Sequence, residues 1–405
     1  MSAHHDIPKI GTVVIGGGIV GLCLSWFLAM EGVEVACLDD GRLGGSTANA
    51  GSLHVQMQSR FIRLYPDLAP GVERALPMYV RAVRHWQEMS RTLGDTIGLK
   101  MTGGLMVAED AQQYEFLAAK CRREQQLGLE VEMLDRMTLE RVAPYLGPAI
   151  FGAEFCADEG KIDPLLANAA IRRALIASGG VLRTNVTVSS LRREGPGFLA
   201  ETSEGTIRAG RVALAAGART RELAQGVGVL VPATAEPLHM NITEAAEPFI
   251  LHLVQHAERM ITMKQLAVGQ VVIGGGWPAR LAGRAQHPTV GLASMIGNLS
   301  LAQHVVPRVG ALRLIRTWAG VNTVVDGRAV LGGIDAVPGL TIAIPGDAGY
   351  TLGPLTARLL ADTMLGRSPE LSIDEFSPAR FAAAARAADS GARCGAQPLV
   401  GPQHI

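Results

Sequence analysis

The chain has 405 residues, 37 Lys plus Arg against 37 Asp plus Glu, and a hydrophobic fraction of 48%. That length buries a large core and suggests two domains, while the balanced charge leaves no net field to recruit nucleic acid or an anionic membrane. Five cysteines at 23, 37, 121, 156 and 394 form no C-x-x-C pair. This speaks against a disulfide framework, a zinc site or a redox disulfide and points to a reducing, cytoplasmic compartment. No basic segment precedes the first apolar run and no small-residue cleavage site follows it, so no signal peptide is expected.

In chain order, Thr12 to Ile15 reads as a buried strand, followed by Gly16, Gly18 and Gly21 in G-x-G-x-x-G spacing. A helix over Leu22 to Met30 and a second strand over Val33 to Leu38 come next, and Asp39 closes the unit. This is the order a dinucleotide-binding βαβ unit requires. Gly16 permits the turn, Gly18 lets a pyrophosphate reach the backbone, and Gly21 lets the helix pack on the strand. The helix N-terminus offers N–H groups to phosphates. Asp39 suits a free ribose hydroxyl, as in FAD or NAD, and repels the extra phosphate of NADP. The competing reading is a membrane span, because Ile10 to Met30 carries no charge. The clustered glycines and the following strand favour the βα unit.

Beyond Asp39, the Gly-, Ser- and Ala-rich run at 41–53 suits a loop held close to a ligand. Helices are expected over 71–92, Gln112 to Leu127, Met137 to Val142 and Pro164 to Ser178. A strand with a glycine bulge is expected at 101–108, another strand at Phe151 to Phe155, and a turn at 161–164. Val181 to Leu191 and Phe198 to Ile207 read as a hairpin-like pair, and Arg211 to Gly217 as a short buried strand. Strands recur over 233–276, residues 286–304 read as helix, and strands follow at Arg313 to Ala319 and 340–344. A helix over Leu355 to Leu365 and a C-terminal helix and tail from Phe381, carrying Cys394, complete the pattern.

Seven segments then carry a resemblance: VVIGGGIVG near the N-terminus, STANAGSL at 46–53, GAEFCADEGKIDP at 152–164, ALAAGA at 213–218, VVIGGGW at 271–277, RTWAGVNTVVDGRAVLGG at 316–333 and GDAGYTLGP at 346–354. Together they resemble the FAD-dependent D-amino-acid-oxidase superfamily, in its glycine oxidase and sarcosine oxidase branch. The stretch ANAGSLHVQMQSRF is more specifically similar to the flavin subunits of bacterial opine dehydrogenases and of the related hydroxyproline dehydrogenases and hydrogen cyanide synthases. The resemblance implies an α/β fold, a Rossmann-type FAD-binding domain interleaved with an antiparallel-sheet substrate domain. The FAD domain would take 8–84, 147–228 and 312–375, the substrate domain 85–146 and 229–311, and the C-terminal helix and tail 376–405.

By motif position, the resemblance implies that Gly16, Gly18 and Gly21 hold the FAD pyrophosphate and Asp39 the adenosine ribose. Ser46, Ala50, Gly51 and Ser52 would approach the pyrophosphate and flavin ring, and Val186 the adenine. Ala216 and Gly217 would pass beside the ribityl chain, and Gly349, Tyr350, Thr351 and Leu352 would touch the flavin pyrimidine end. The implied reaction is oxidation of an amine C–N bond by hydride transfer to flavin N5, then imine hydrolysis. It needs orientation and a dry pocket rather than a strong base.

Glycine oxidase relatives carry an arginine after W-A-G, and Asn322 stands there in this chain. The carboxylate of the substrate therefore needs another cation, with Lys264, Arg316, Arg60 and Arg63 as candidates. His54 and Trp277 are expected to line the substrate face, with Met240 and Met260 as further apolar wall. Three functions are weighed. The first is an amine dehydrogenase subunit acting on opines or D-hydroxyproline-like amines and passing electrons to partner subunits with iron–sulfur or further flavin groups. The second is a stand-alone glycine, sarcosine or D-amino acid oxidase. The third is a non-catalytic nucleotide-binding assembly subunit.

Overall fold

The structure is a computed structural model that describes residues 7–42, 44–283 and 287–382. The chain forms two compact units. The first takes the segment ending at Thr47, Asn168–Glu236 and the segment from Val321 on; the second takes Ala48–Ala167 and Pro237–Gly320.

The first unit is built on the βαβ motif. Strand β1 (Lys9–Ile15), helix α1 (Ile19–Met30) and strand β2 (Val35–Asp39) follow the predicted order. The uncharged run from Ile10 to Met30 is thus a strand and a 12-residue helix, and no helix among the described residues is long and apolar enough to cross a membrane. β1 lies between β2 and the strand Gly205–Leu214, parallel to both. Leu340–Ile344 extends the parallel set on one side and Val181–Thr184 on the other. Val13, Val212 and Ile342 fill the core beneath, as the near-continuous apolar runs of a two-sided parallel sheet require.

Two expectations here need correction. Val181 to Leu191 is two strands rather than one, because Asn185 adopts φ 60° and breaks the run. Val181–Thr184 joins β2, whereas Val188–Glu194 pairs antiparallel with Gly197–Thr202. The strand expected from Arg211 begins earlier, at Gly205, and runs unbroken to Leu214.

The second unit carries an eight-stranded sheet. From Thr234–Ala245 to Val131–Asp135 its neighbours are antiparallel except for Leu253–His256 with Gly104–Ala108, which run parallel. Leu105, Val254, Met263 and Ile273 form its core with Leu301 of the helix Leu292–Val305. That helix is shorter than expected, since His287–Val290 is a strand. The expected glycine bulge is absent, because Gly104–Ala108 pairs with Gly152–Cys156 in unbroken register. The glycines answer to a neighbour instead: a Cβ on Gly104 would lie 1.9 Å from Glu159 Oε2. The expected C-terminal helix and tail beyond Ala382, with Cys394, lie outside the described residues.

Candidate functional site

In the first unit, two helices begin with an N-cap residue that makes no side-chain capping hydrogen bond. Helix α1 starts at Ile19 after Gly18, with no side-chain cap. The helix Gly349–Met364 starts after Ala348, also uncapped, six residues before the expected start at Leu355. The segment GDAGYTLGP is therefore mostly helix, and Gly349, Tyr350, Thr351 and Leu352 are its first turn. A Cβ on Gly353 would lie 2.9 Å from Ile19 Cγ2, so the two helices meet near their N-terminal ends. Each follows the C-terminal end of a parallel strand, where α/β sheets bind ligands. Two adjacent helix N-termini bring the partial positive charge of their dipoles to an anion placed between them.

The glycines make this approach possible. Gly16 has φ 118°, and a Cβ there would lie 2.2 Å from the Ala215 carbonyl oxygen. A Cβ on Gly21 would lie 1.9 Å from the Gly16 carbonyl oxygen. Ser46 Oγ accepts the Ile19 N–H at 2.9 Å, which brings the start of the 46–53 loop to the same helix end. Asn168 ties the site further, donating to the Ser46 carbonyl at 3.4 Å and accepting from Tyr350 OH at 3.2 Å.

Asp39 closes β2 and is buried. Its Oδ1 accepts the Gly41 N–H at 3.1 Å, and its Oδ2 accepts from Arg172 at 2.5 Å. The Val186 N–H donates to the Asp39 carbonyl at 2.9 Å, so Asp39 and Val186 are neighbours. Ala216 and Gly217 follow the strand Gly205–Leu214, with Gly217 at φ 58° beside Thr323. This set fits a dinucleotide: close-packed glycine backbone for a pyrophosphate, a carboxylate for a ribose, and a helix N-terminus at Gly349 for the anionic end of a flavin. Sequence reasoning missed Arg172; a helical arginine carries no local signal that it reaches a strand end.

Asn322, at the position of the missing arginine, donates from Nδ2 to Glu236 Oε2 at 3.3 Å. A carboxylate neighbour makes this a poor seat for a second carboxylate.

The second unit holds Ala50, Gly51, Ser52, His54, Lys264 and Trp277. Gly51 has φ 76°, and a Cβ there would lie 2.2 Å from the Ile162 carbonyl oxygen. The Ile162 N–H donates to the Gly51 carbonyl at 2.8 Å, and Ser52 pairs with Lys161 in a short antiparallel ladder. The loop is thus clamped on the 161–164 turn. Burial, with the Lys264 charge, pulls the His54 pKa down to about 4, so the ring is neutral at pH 7. Lys264 is 1% exposed and its Nζ donates to the Ile162 carbonyl at 3.3 Å.

Trp277 is held by packing. Its Nε1 donates to the Met260 carbonyl at 2.5 Å, and a Cβ on Gly297 would lie 2.4 Å from its ring. Met240 packs against Gly274. The other cation candidates are engaged: Arg60 donates to the Glu258 carbonyl, Arg63 pairs with the Glu258 carboxylate, and Arg316 is exposed over the Trp318 ring.

A further feature went unread in the sequence. Three successive N–H groups after His54 end on buried carboxylates: Val55 and Gln56 donate to Glu159 Oε1 at 2.8 and 3.0 Å, and Met57 to Glu124 Oε1 at 2.6 Å. These acids fix the backbone that carries His54.

The FAD dependent oxidoreductase (DAO) family matches residues 12–363. One of the subunits of the opine oxidase of Agrobacterium tumefaciens (strain Ach5) is 26% identical over 391 residues, covering 92% of this chain and 98% of that protein. Among solved structures, glycine oxidase from Geobacillus kaustophilus gives a TM-score of 0.80 at 22% identity, covering 91% of this chain and 98% of that one. L-proline dehydrogenase from P. horikoshii gives 0.81 at 20% identity, covering 93% and 99%. The two structural likenesses agree with the fold described above. With the family match spanning most of its length, the chain belongs to the DAO family of FAD-dependent oxidoreductases.

Proposed function

We propose that this chain is the FAD-carrying subunit of an amine dehydrogenase that oxidises the C–N bond of a secondary amino acid of the opine or D-hydroxyproline kind. Electrons then pass to partner subunits holding iron–sulfur or further flavin groups, in a reducing, cytoplasmic compartment. The end-to-end match to a protein that is itself one subunit of an opine oxidase supports this reading most. The four described cysteines are free and buried, in keeping with such a compartment and with electron-relay centres lying on other chains.

When bound, FAD supplies the two-electron acceptor for the C–H bond beside the amine nitrogen. In this reading Gly16, Gly18 and Gly21 hold its pyrophosphate with Ser46, and Asp39 and Val186 hold the adenosine end. Ala50, Gly51 and Ser52 would approach the pyrophosphate and ring, Ala216 and Gly217 the ribityl chain, and Gly349, Tyr350, Thr351 and Leu352 would place a helix N-terminus at the pyrimidine end. His54 is a neutral ring at the substrate face that can orient an amine without adding charge. Trp277, Met240 and Met260 provide apolar wall, which excludes water. Asn322 shapes the site through Glu236 rather than binding a carboxylate.

The second reading is a stand-alone oxidase of glycine, sarcosine or D-amino acids, which the likeness to glycine oxidase favours and the residue at 322 opposes. The test is turnover of octopine, nopaline and D-hydroxyproline against glycine, sarcosine and D-alanine, with a redox dye and with oxygen as acceptors. Dye reduction by the secondary amino acids without rapid peroxide supports the dehydrogenase. Fast peroxide production from glycine or D-alanine selects the oxidase.

A further inference from the structure

Two lysines in the second unit lack the counterion that buried lysines need. Lys264 lies on the strand Thr262–Gln265 and is 1% exposed. Of the three N–H donors of an ammonium, it uses one, at 3.3 Å to the Ile162 carbonyl. Lys161 is 9% exposed and donates to the Leu251 carbonyl at 2.9 Å and, at 3.5 Å, to that of Ile250. Neither lysine forms a salt bridge among the described residues.

Three other ionisable groups act on this pair or are acted on by it, and a fourth, Tyr145, bonds one of them. Lys161 and Lys264 repel each other. Asp163 attracts Lys264, but its Oδ1 is committed to the Leu165 and Leu166 N–H groups at the start of a helix. His54 feels the charge of Lys264. His252 feels Lys161, and its Nδ1 lies 2.7 Å from Tyr145 OH. Tyr145 itself stays neutral, its pKa raised by burial.

Lys264 Nζ reaches the carbonyl of the residue that follows Lys161, and the two charges are near enough to repel. Lys161 pairs with Ser52, and the Ile162 carbonyl that receives Lys264 sits where a Gly51 side chain would begin. Burying a cation without a partner is costly, and a carboxylate with two oxygens would supply both the charge and the missing acceptors. We propose that Lys264 and Lys161 together receive the carboxylate of the amino acid substrate, the role that Asn322 does not fill. This rests on the amine-oxidising function proposed above, and it restricts the substrates to amines that bear a carboxylate.

A second consequence follows from burial. Desolvation pushes Lys264 well below the ordinary lysine range, with help from Lys161, and pulls Lys161 down to about 8. Without a ligand, burial disfavours the ammonium form of both side chains. A bound carboxylate stabilises the ammonium forms, so ligand binding takes up protons near pH 8.

The probe is tetrahydrofuran-2-carboxylate, a proline-like ring with an ether oxygen in place of the oxidisable nitrogen. Its uncharged carboxamide is the control. Binding to the FAD-loaded protein is followed by calorimetry in two buffers of different ionisation enthalpy and by perturbation of the flavin absorption spectrum. The carboxylate should bind with net proton uptake. Lys264→Met and Lys161→Met should each weaken it by about ten- to a hundredfold, with the carboxamide's weak binding unchanged. Retained FAD and an unperturbed resting spectrum show that each variant is folded. The proposal is overturned if the carboxylate fails to bind, binds both variants as tightly as the parent, or binds without proton uptake. Lysine-dependent binding in a protein that oxidises no amine would leave this site standing and sink the amine-oxidising function. Amine turnover indifferent to both lysines would do the reverse.

Discussion

Lys120 and Lys264 are both buried almost completely, at 2% and 1% exposed, and their surroundings are opposite. Lys120 Nζ lies 2.8 Å from Glu124 Oε2 and 2.7 Å from Glu154 Oε2. Burial opposes its charge, but the two carboxylates outweigh it and raise the lysine pKa. Lys264 has a single long bond to a carbonyl, and burial lowers its pKa. Glu159 stands between these cases. Among the described residues it has no cation partner within salt-bridge distance, yet its two oxygens accept from Val55, Gln56 and Gln255 groups through four hydrogen bonds. A charge buried with its partners belongs to the architecture, whereas one buried without them is held ready for something that arrives later.

The comparison can be broken most easily at Lys120. Replacing it with Met strands Glu124 and Glu154 without a cation, and stability should fall by about 3–5 kcal/mol in chemical denaturation. Lys264→Met should leave stability unchanged or raise it by about 1 kcal/mol, because no partner is stranded. Equal losses for the two variants would show that Lys264 is a structural charge as well.

A smaller effect is expected at Glu159. In Glu159→Gln one oxygen still accepts the Val55 and Gln56 N–H groups, but the new amide faces the Gln56 and Gln255 donors. The cost should be about 1–3 kcal/mol. Burial raises the Glu159 pKa to about 7. A raised acid pKa means that the folded chain holds more protons than the unfolded one between 4.5 and about 7. Its contribution to stability is therefore full below pH 4.5 and lost as pH rises to 7. Stability curves of parent and Glu159→Gln against pH should converge or cross in that window. Parallel curves would mean that Glu159 titrates normally.

The smallest and sharpest effect is the sign of a slope. Lys161 has a folded pKa of about 8 against 10.5 unperturbed, so between these values the unfolded chain binds more protons and stability rises with pH. Lys264 contributes in the same direction over a window reaching lower. Lys120, with its pKa raised, contributes stability present below 10.5 and lost as pH rises through its folded value. Lys161→Met should flatten the rise of stability between about pH 8 and 10, and Lys120→Met should remove a fall of stability above pH 10.5. Denaturation at several pH values reads both.

How legible these features were follows from locality. The dinucleotide motif was readable because Gly16, Gly18, Gly21 and Asp39 act through the backbone within one βαβ unit, and the glycine spacing encodes the turn, the close approach and the helix packing together. The long helices were readable from their periodicity, as with Ala69–Thr92. The start of the helix at Gly349 was not, because glycines and Pro354 are poor helix formers and tertiary packing of Gly353 on Ile19 overrides them. The break at Asn185 needed a left-handed backbone that propensity alone does not assign. For the proposed substrate side, His54 could be named from motif position and Lys264 as one of four candidate cations. Lys161 and Glu159, inside the quoted segment GAEFCADEGKIDP, could not, since their partners Leu251, Val55 and Gln255 lie about a hundred residues away in the chain. Arg172 was hidden for the same reason, 133 positions from Asp39.

The central claim is that this FAD-dependent oxidoreductase takes electrons from a secondary amino acid. Mixing the FAD-loaded protein with nopaline, octopine or D-hydroxyproline in the absence of oxygen tests it in one step. The account predicts loss of the oxidised flavin's visible absorption within a single turnover, together with formation of the keto acid or cyclic imine. Flavin that stays fully oxidised with all three, while glycine or D-alanine bleaches it, would contradict the account.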